Sequence, residues 1–351
     1  MFTREGRTSP RRPTAAAMPV APLYTGRDAE LGQLTAALIR AWQGNGSVVL
    51  IEGDPGMGKT TLLRALEAQV RQIPELAGTR MISAECYRAT GAHNAYQPFV
   101  EIMEALATSD HSKQNTAKSV LAILKETAPD WLDIIPIAGP ALKAGVKTAL
   151  AAGQLLLADE PQAAQAKVLA VQYANALFEI AAHYLPLVVI VEDAHWIDDA
   201  SCQLLLRLAR KTREHGLVVI VTYRPGHINE QHPLQGTRRE LIIGDLAQVV
   251  ALGGWTEGQI GRYIQARFDN ELSPRLAPWL KDLCNGNPMF VTQYLSLLED
   301  SGIIRFEGNH YRLDGRISDA SGEWELSGPL AAVGMPRSIA EVLAQRIEGL
   351  N

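Results

Sequence analysis

Apolar residues fall along this chain in two rhythms. In the first two thirds they gather into short, nearly continuous runs: Ser47–Glu52 (SVVLIE), Met81–Cys86, Leu187–Val191 (LVVIV) and Leu217–Thr222 (LVVIVT). Runs this short and rich in β-branched side chains suit strands covered on both faces. Helical stretches between them predict a parallel, three-layer α/β sheet. From about Thr256 the spacing becomes helical. Thr256-x-x-Gln259 forms a capping box that opens a helix to Phe268. Ser273-Pro274 supplies an N-cap with proline at the first helical position, and Leu276, Trp279, Leu280 and Leu283 then share one face. Gly286 stops that helix and Asn287-Pro288 starts another, running to about Asp300. Ile303–Phe306 and His310–Leu313, joined by Glu307-Gly308-Asn309, read as a hairpin. Ser338-x-x-Glu341 caps a last helix carrying Ile339, Val342, Leu343 and Ile347.

The first apolar run leads directly into chemistry. After Glu52 come Gly53, Asp54, Pro55, Gly56, Met57, Gly58, Lys59 and Thr60, with Thr61-Leu62-Leu63 opening a helical pattern. This is the complete G-x-x-x-x-G-K-[ST] phosphate loop, the Walker A loop, between a strand and a helix. Its glycines let successive backbone N–H groups point inward at phosphate oxygens, and the helix N-terminus adds partial positive charge. Lys59 is expected to reach the β- and γ-phosphates, and the Thr60 hydroxyl to ligate Mg²⁺.

A second buried run, LVVIV, delivers Glu192 and Asp193 at its C-terminal end. Opposite a phosphate loop, the first acid is expected to hold Mg²⁺ and the second to orient or deprotonate the attacking water. Asp198 or Asp199 is read instead as the cap of a helix at Ala200–Glu214. Arg224, at the end of LVVIVT, is placed to read the γ-phosphate from the side; a surface arginine in a turn is the plainer alternative. His195 is read as packing a loop and Trp196 as a core anchor beneath it.

Composition narrows the picture further. At 47% hydrophobic and 20% charged, the chain of 351 residues is not wholly disordered. A net charge of -5 argues against a main surface that grips nucleic-acid phosphates, so no direct nucleic-acid binding is expected. Three scattered cysteines (Cys86, Cys202, Cys284) supply neither a disulfide scaffold nor a four-ligand zinc site, which suggests a reducing, cytoplasmic setting. The first twenty residues hold four arginines, three prolines and one acid without a long apolar core. A disordered leader is preferred there to an organellar transit peptide, and a secretory signal is not expected. Ile134–Leu157 is the greasiest stretch, but Lys143, Lys147 and two prolines favour a helical hairpin over a membrane span.

Taken together the motifs resemble those of the signal-transduction ATPases with numerous domains (the STAND class). The likeness is to the origin-recognition-complex-like AAA ATPase domain of large LuxR-type and adenylate-cyclase-linked bacterial regulators, over roughly residues 20–351. Tyr24–Leu31 (YTGRDAEL) resembles the opening G-R-x-x-E-L, Gly53–Thr61 the phosphate loop, and Val189–Asp199 (VIVEDAHWIDD) the extended acidic strand. Thr222–Pro225 looks like the arginine sensor and Gly286–Phe290 (GNPMF) the G-x-P motif. The resemblance implies that backbone around Gly26 and Arg27 borders adenine and ribose, and that Pro288 packs on the adenine. It implies four regions. These are a leader at 1–20, a P-loop NTPase core at 21–245 with an Ala-rich helical insert at about 107–172, a helical lid at 246–301, and an incomplete winged-helix-like hairpin and helix at 302–351.

Two departures matter, the first being the long span of 133 positions (192 − 59) from Lys59 to Glu192, which the Ala-rich insert accounts for. The common order in such ATPases is Asp for magnesium then Glu for water, which Glu192-Asp193 reverses, so a low rate of hydrolysis is expected. The leading expectation is an ATP-binding, slowly hydrolysing regulatory switch that uses ATP and Mg²⁺ and self-associates on binding ATP. Two alternatives stay open: a nucleotide-binding scaffold without hydrolysis, and an AAA+ ATPase that loads onto DNA.

Overall fold

The computed structural model describes residues 26–88, 95–108, 114–131, 161–183, 186–268, 271–307, 310–314, 316–319 and 324–327. The leader, the Tyr24-Thr25 opening, the Ile134–Leu157 hairpin and the last helix at Ser338 all lie outside the described residues.

Five parallel strands form the centre: β1 (Ser47–Glu52), β2 (Arg80–Glu85), β3 (Leu187–Glu192), β4 (Leu217–Tyr223) and β5 (Ala247–Ala251), in the order β2-β3-β4-β1-β5. Alternation within the strands makes two cores. Val49, Ile51, Val188, Ile190, Val218 and Ile220 face α1 (Asp28–Trp42) and α2 (Lys59–Val70). Their neighbours Val48, Leu50, Val189, Val191, Val219 and Val221 face the opposite layer. That layer holds α3 (Gln97–Thr108), α4 (Gln114–Thr127), α5 (Pro161–His183), α6 (Asp199–Ala209) and α7 (Pro233–Ile243). With both faces covered, near-continuous apolar strands are what the sheet requires. The expected three-layer α/β architecture is therefore present.

The expected insert is docked within this second layer where it is described. Trp131 is fully buried, donates its indole N–H to the Leu169 carbonyl at 2.8 Å, and packs on Tyr173 with ring centroids 4.6 Å apart. Two boundaries move. The sheet extends past residue 245, because β5 pairs with β1 from Val48↔Ala247 to Glu52↔Ala251. The helix expected at Ala200–Glu214 ends at Ala209, and a separate 3₁₀ turn follows at Thr212–Glu214. Asp198 is its cap, accepting from the Ser201 amide at 2.8 Å.

Beyond the sheet come α8 (Glu257–Arg267), α9 (Ser273–Cys284) and α10 (Pro288–Asp300), around a core of Ile260, Ile264, Leu276, Leu280, Val291 and Leu295. The capping box forms: Thr256 accepts from the Gln259 amide, and the Gln259 side chain accepts from the Thr256 amide. Ser273 is the first helical residue of α9 rather than its cap, which is Leu272. Leu283 is exposed, and Cys284 takes its place on the buried face. The expected hairpin forms as β6 (Ile304–Glu307) and β7 (His310–Leu313), and its Ile304 and Leu313 pack into the same core as these helices. A further hairpin, β8 (Arg316–Asp319) with β9 (Trp324–Ser327), was not expected. Among the described residues, no helix is long and apolar enough to cross a membrane.

Candidate functional site

The site lies at the C-terminal ends of β1, β3 and β4, where an open parallel sheet places its ligands. Gly56 and Gly58 take φ of +81° and +89°, left-handed values that side chains disfavour, and α2 begins immediately after at Lys59. Lys59 Nζ donates to the Gly53 carbonyl at 2.7 Å. Burial lowers the lysine's pKa; Asp193 opposes that effect and Arg224 adds to it. The Thr60 hydroxyl donates to Glu192 Oε2 at 3.3 Å, so the end of β3 meets the first turn of α2. Burial raises the pKa of Glu192, while the bond from Thr60 works against that rise.

Asp193 sits beside this pair in a left-handed conformation, φ 51°, with its amide donating to the Thr222 hydroxyl at 3.1 Å. Its Oδ1 is 3.6 Å from His195 Nδ1 and 3.9 Å from Arg224 Nε. The acid, the sensor-like arginine and the end of the phosphate loop thus converge. Arg224 approaches this cluster while it also caps the 3₁₀ turn at Pro225–His227.

The helical region meets the loop directly. Asn287 caps α10 by accepting from the Met289 amide, and its Nδ2 donates to the Pro55 carbonyl at 3.0 Å. The Met289 amide also donates to the Gly56 carbonyl at 3.2 Å. Arg27, nearly buried, ties the same region from the other side. It pairs with Glu30 at 3.0 Å and donates to the Met57 carbonyl at 3.3 Å and to the Gly253 carbonyl. The Gly26 carbonyl accepts from Gln259 Nε2 on the lid's first helix.

Between these parts lies a cleft of about 620 Å³. Its lining takes in Arg27, the loop from Pro55 to Thr61, Asp193, Arg224 and Pro288. Gly26, Asp54 and Glu192 stand outside the lining; Gly26 bonds to Gln259, which also lies outside it, and Glu192 bonds to the lining residue Thr60. Four lining residues were missed in the sequence: Trp255, Tyr263, Met289 and Thr292. Trp255 and Tyr263 stack obliquely, ring centroids 5.3 Å apart, and give the cleft an aromatic wall suited to a flat base. Trp255 stands just before the cap of α8 and Tyr263 within it, so no local pattern joins them, although Met289 adjoins Pro288 in the motif already singled out.

Trp196 departs from expectation. It is 40% exposed with the Arg88 guanidinium 5.5 Å from its ring centre, while His195 takes the buried position.

Residues 24–221 match the AAA ATPase domain family. The chain belongs to that family. An uncharacterized protein of Rhizobium meliloti is 29% identical over 270 residues, covering 75% of this chain. The chain spans 23% of that relative's length. Among solved structures, the STAND protein with a tetratricopeptide repeat sensor from Pyrococcus horikoshii is similar at 17% identity and a TM-score of 0.39, over 78% of this chain and 30% of its own. Cdc6p of Pyrobaculum aerophilum is similar at 17% identity and 0.43, over 80% and 63%. The Aeropyrum pernix ORC1 protein, solved in complex with DNA, is similar at 14% identity and 0.42, over 84% and 65%.

Proposed function

We propose that this AAA ATPase domain is an ATP-binding regulatory switch of the STAND type that hydrolyses ATP slowly. The observation that supports this most directly is the seam in which Asn287 and Met289 bond to the carbonyls of Pro55 and Gly56. A nucleotide in the adjoining cleft touches core and lid together, and it favours the closed arrangement by its differential affinity for it.

In this reading the base lies against Pro288, Trp255 and the Gly26–Arg27 backbone, and the phosphates lie along Asp54–Thr61. Lys59 and Arg224 hold the γ-phosphate, and Asp193 accepts the proton of the attacking water. Two facing oxygen ligands, on Thr60 and Glu192, suit a hard divalent ion, and Mg²⁺ held there would neutralise phosphate charge. Loss of the γ-phosphate removes the contacts of Lys59 and Arg224, and the lid loosens. Self-association on ATP binding, a cytoplasmic setting and a role in signalling or transcription belong to the same proposal.

Titrating ATP into Lys59→Ala and Pro288→Ala tests the site. We expect each to weaken binding by at least about tenfold, near 1.4 kcal/mol. Unchanged affinity in both overturns the assignment.

A second reading, nucleotide as a structural ligand without turnover, is favoured by Asp193 itself. Its carboxylate is shorter than glutamate's and lies between His195 and Arg224. Phosphate release by the wild-type protein and by Asp193→Asn separates the two readings. A rate above background that vanishes in the variant excludes the scaffold.

A further inference from the structure

His195 has no part in the reading above, yet its setting is unusual. The side chain is buried, with the residue 2% exposed, and neither ring nitrogen has a hydrogen-bond partner among the described residues. Buried polar atoms without partners are uncommon in folded proteins and call for an explanation. The left-handed turn at Asp193 supplies the geometry. With its amide pinned to Thr222 and its carbonyl accepting from the Trp196 amide at 3.0 Å, the chain folds back so that the imidazole stands beneath the preceding acid. His195 Nδ1 is then 3.6 Å from Asp193 Oδ1, the same oxygen that Arg224 Nε approaches at 3.9 Å.

A second cavity of about 650 Å³ adjoins this turn and is lined by His195 together with Arg88, Trp196, His227 and His232. Asp193, which the imidazole approaches, lines the nucleotide cleft. The charged and titratable groups around His195 are Asp193, Arg224, Lys59 and His227, whose ring meets it edge-on with centroids 5.0 Å apart. His232 donates from Nε2 to the His195 carbonyl at 3.0 Å, because its Nδ1 accepts from the Leu234 amide.

Burial pushes the His195 pKa down to about 4, with Arg224, His227 and Lys59 lowering it further and Asp193 opposing. The ring is then neutral near pH 7 and has one N–H to give. Among the described groups, the acceptor beside Nδ1 is Asp193.

We propose that His195 is a positioning residue. Through Nδ1–H it holds the Asp193 carboxylate toward the nucleotide cleft when Arg224 turns to the γ-phosphate. Arg224 and His195 compete for one oxygen, and nucleotide decides the competition by drawing the guanidinium away. The acid is then held by a neutral donor instead of a cation. The role of Asp193 in this inference rests on the hydrolytic reading above.

Two measurements on the full chain test it. Long-range proton–nitrogen spectra of ¹⁵N-histidine-labelled protein, with Mg²⁺ and a non-hydrolysable ATP analogue, report the tautomer directly. The His195 signals are assigned by their loss in His195→Asn. Protonated Nδ1 with bare Nε2 is expected; an Nε2–H tautomer or an imidazolium overturns the proposal. Turnover supplies the second readout. Asn places an amide N–H near the Nδ1 position, whereas Gln places one near Nε2. We expect His195→Asn to keep kcat within about threefold and His195→Gln to lose about tenfold or more, both with unchanged ATP affinity. Equal losses in the two variants, or a loss that appears only in affinity, overturn it. If the wild-type protein releases no phosphate, the hydrolytic reading fails, and the tautomer spectrum still decides the role of His195.

Discussion

The amide of Met289 donates to the carbonyl of Gly56 at 3.2 Å, so the last lid helix begins on the apex of the phosphate loop. The approach depends on the missing side chain. A Cβ at Gly56 would lie 2.6 Å from Asn287 Oδ1 and 2.8 Å from Met289 Cβ, at a φ of +81°. Gly56→Ala is therefore expected to cost about 1–2 kcal/mol in backbone strain and to push the lid off the loop. Thermal melting should report the first effect. Titration with a fluorescent ATP analogue should report the second as a fall in affinity of about tenfold or more.

Asn287 joins two functions that substitution can separate. Its Oδ1 caps α10, and its Nδ2 holds Pro55. Asn287→Ala should lose both, about 1 kcal/mol for each. Serine still caps a helix but cannot reach Pro55, so Asn287→Ser should recover the cap's share of the melting temperature while ATP affinity stays low. Recovery of both quantities in the serine variant would show that the Pro55 bond contributes nothing to nucleotide binding.

The parts of this site that are local in sequence were legible before the fold was known. The loop from Gly53 to Thr60, the Glu192-Asp193 pair and the Asn287-Pro288 start of α10 each carry their chemistry within a few residues. Strands β1, β3 and β4 announced themselves because a strand buried on both faces must be apolar at every position. Strand β5 did not: AQVVA lies at the edge of the sheet, is half-buried over most of its length, and includes a glutamine. The aromatic wall of Trp255 and Tyr263 was hidden for a different reason. Helical spacing says that a face is apolar, not that the lid will turn its flank toward a loop two hundred residues earlier. Trp196 and His195 show the same limit at close range. Hydrophobicity favoured burying the indole, but the left-handed turn at Asp193 put the imidazole inside.

Behind the phosphate loop, the ends of two strands are joined by a small polar network. Tyr223 donates to Glu52 Oε2 at 2.5 Å, and Arg238 on α7 donates to the phenol oxygen at 2.7 Å and to the same carboxylate oxygen at 3.1 Å. Glu52 precedes Gly53 and Tyr223 precedes Arg224, so the network fixes the bases of both site segments. Tyr223→Phe should destabilise the protein by about 1 kcal/mol and Arg238→Met by about 1–2 kcal/mol. The double variant should lose less than the sum, because each change removes part of one network. Additive losses in denaturant unfolding would mean that the three groups act independently.

Acid stability offers a check on His195 that needs no nucleotide. Its folded pKa is depressed to about 4 by burial, against an ordinary 6.5. Above pH 6.5 both folded and unfolded chains hold a neutral ring, and the residue adds no slope. As the pH falls from about 6.5 toward 4, the unfolded chain takes up a proton that the folded one refuses, so stability is lost across that window. Glu192, whose carboxyl is pushed up by burial, contributes the opposite slope at the acidic end of the window. The comparison must therefore be with His195→Asn, which keeps Glu192 and removes only the imidazole. Unfolding free energy measured between pH 7 and 5 should fall more steeply in the wild-type protein than in that variant. Parallel curves would mean that the ring takes its proton in the folded state as readily as in the unfolded one.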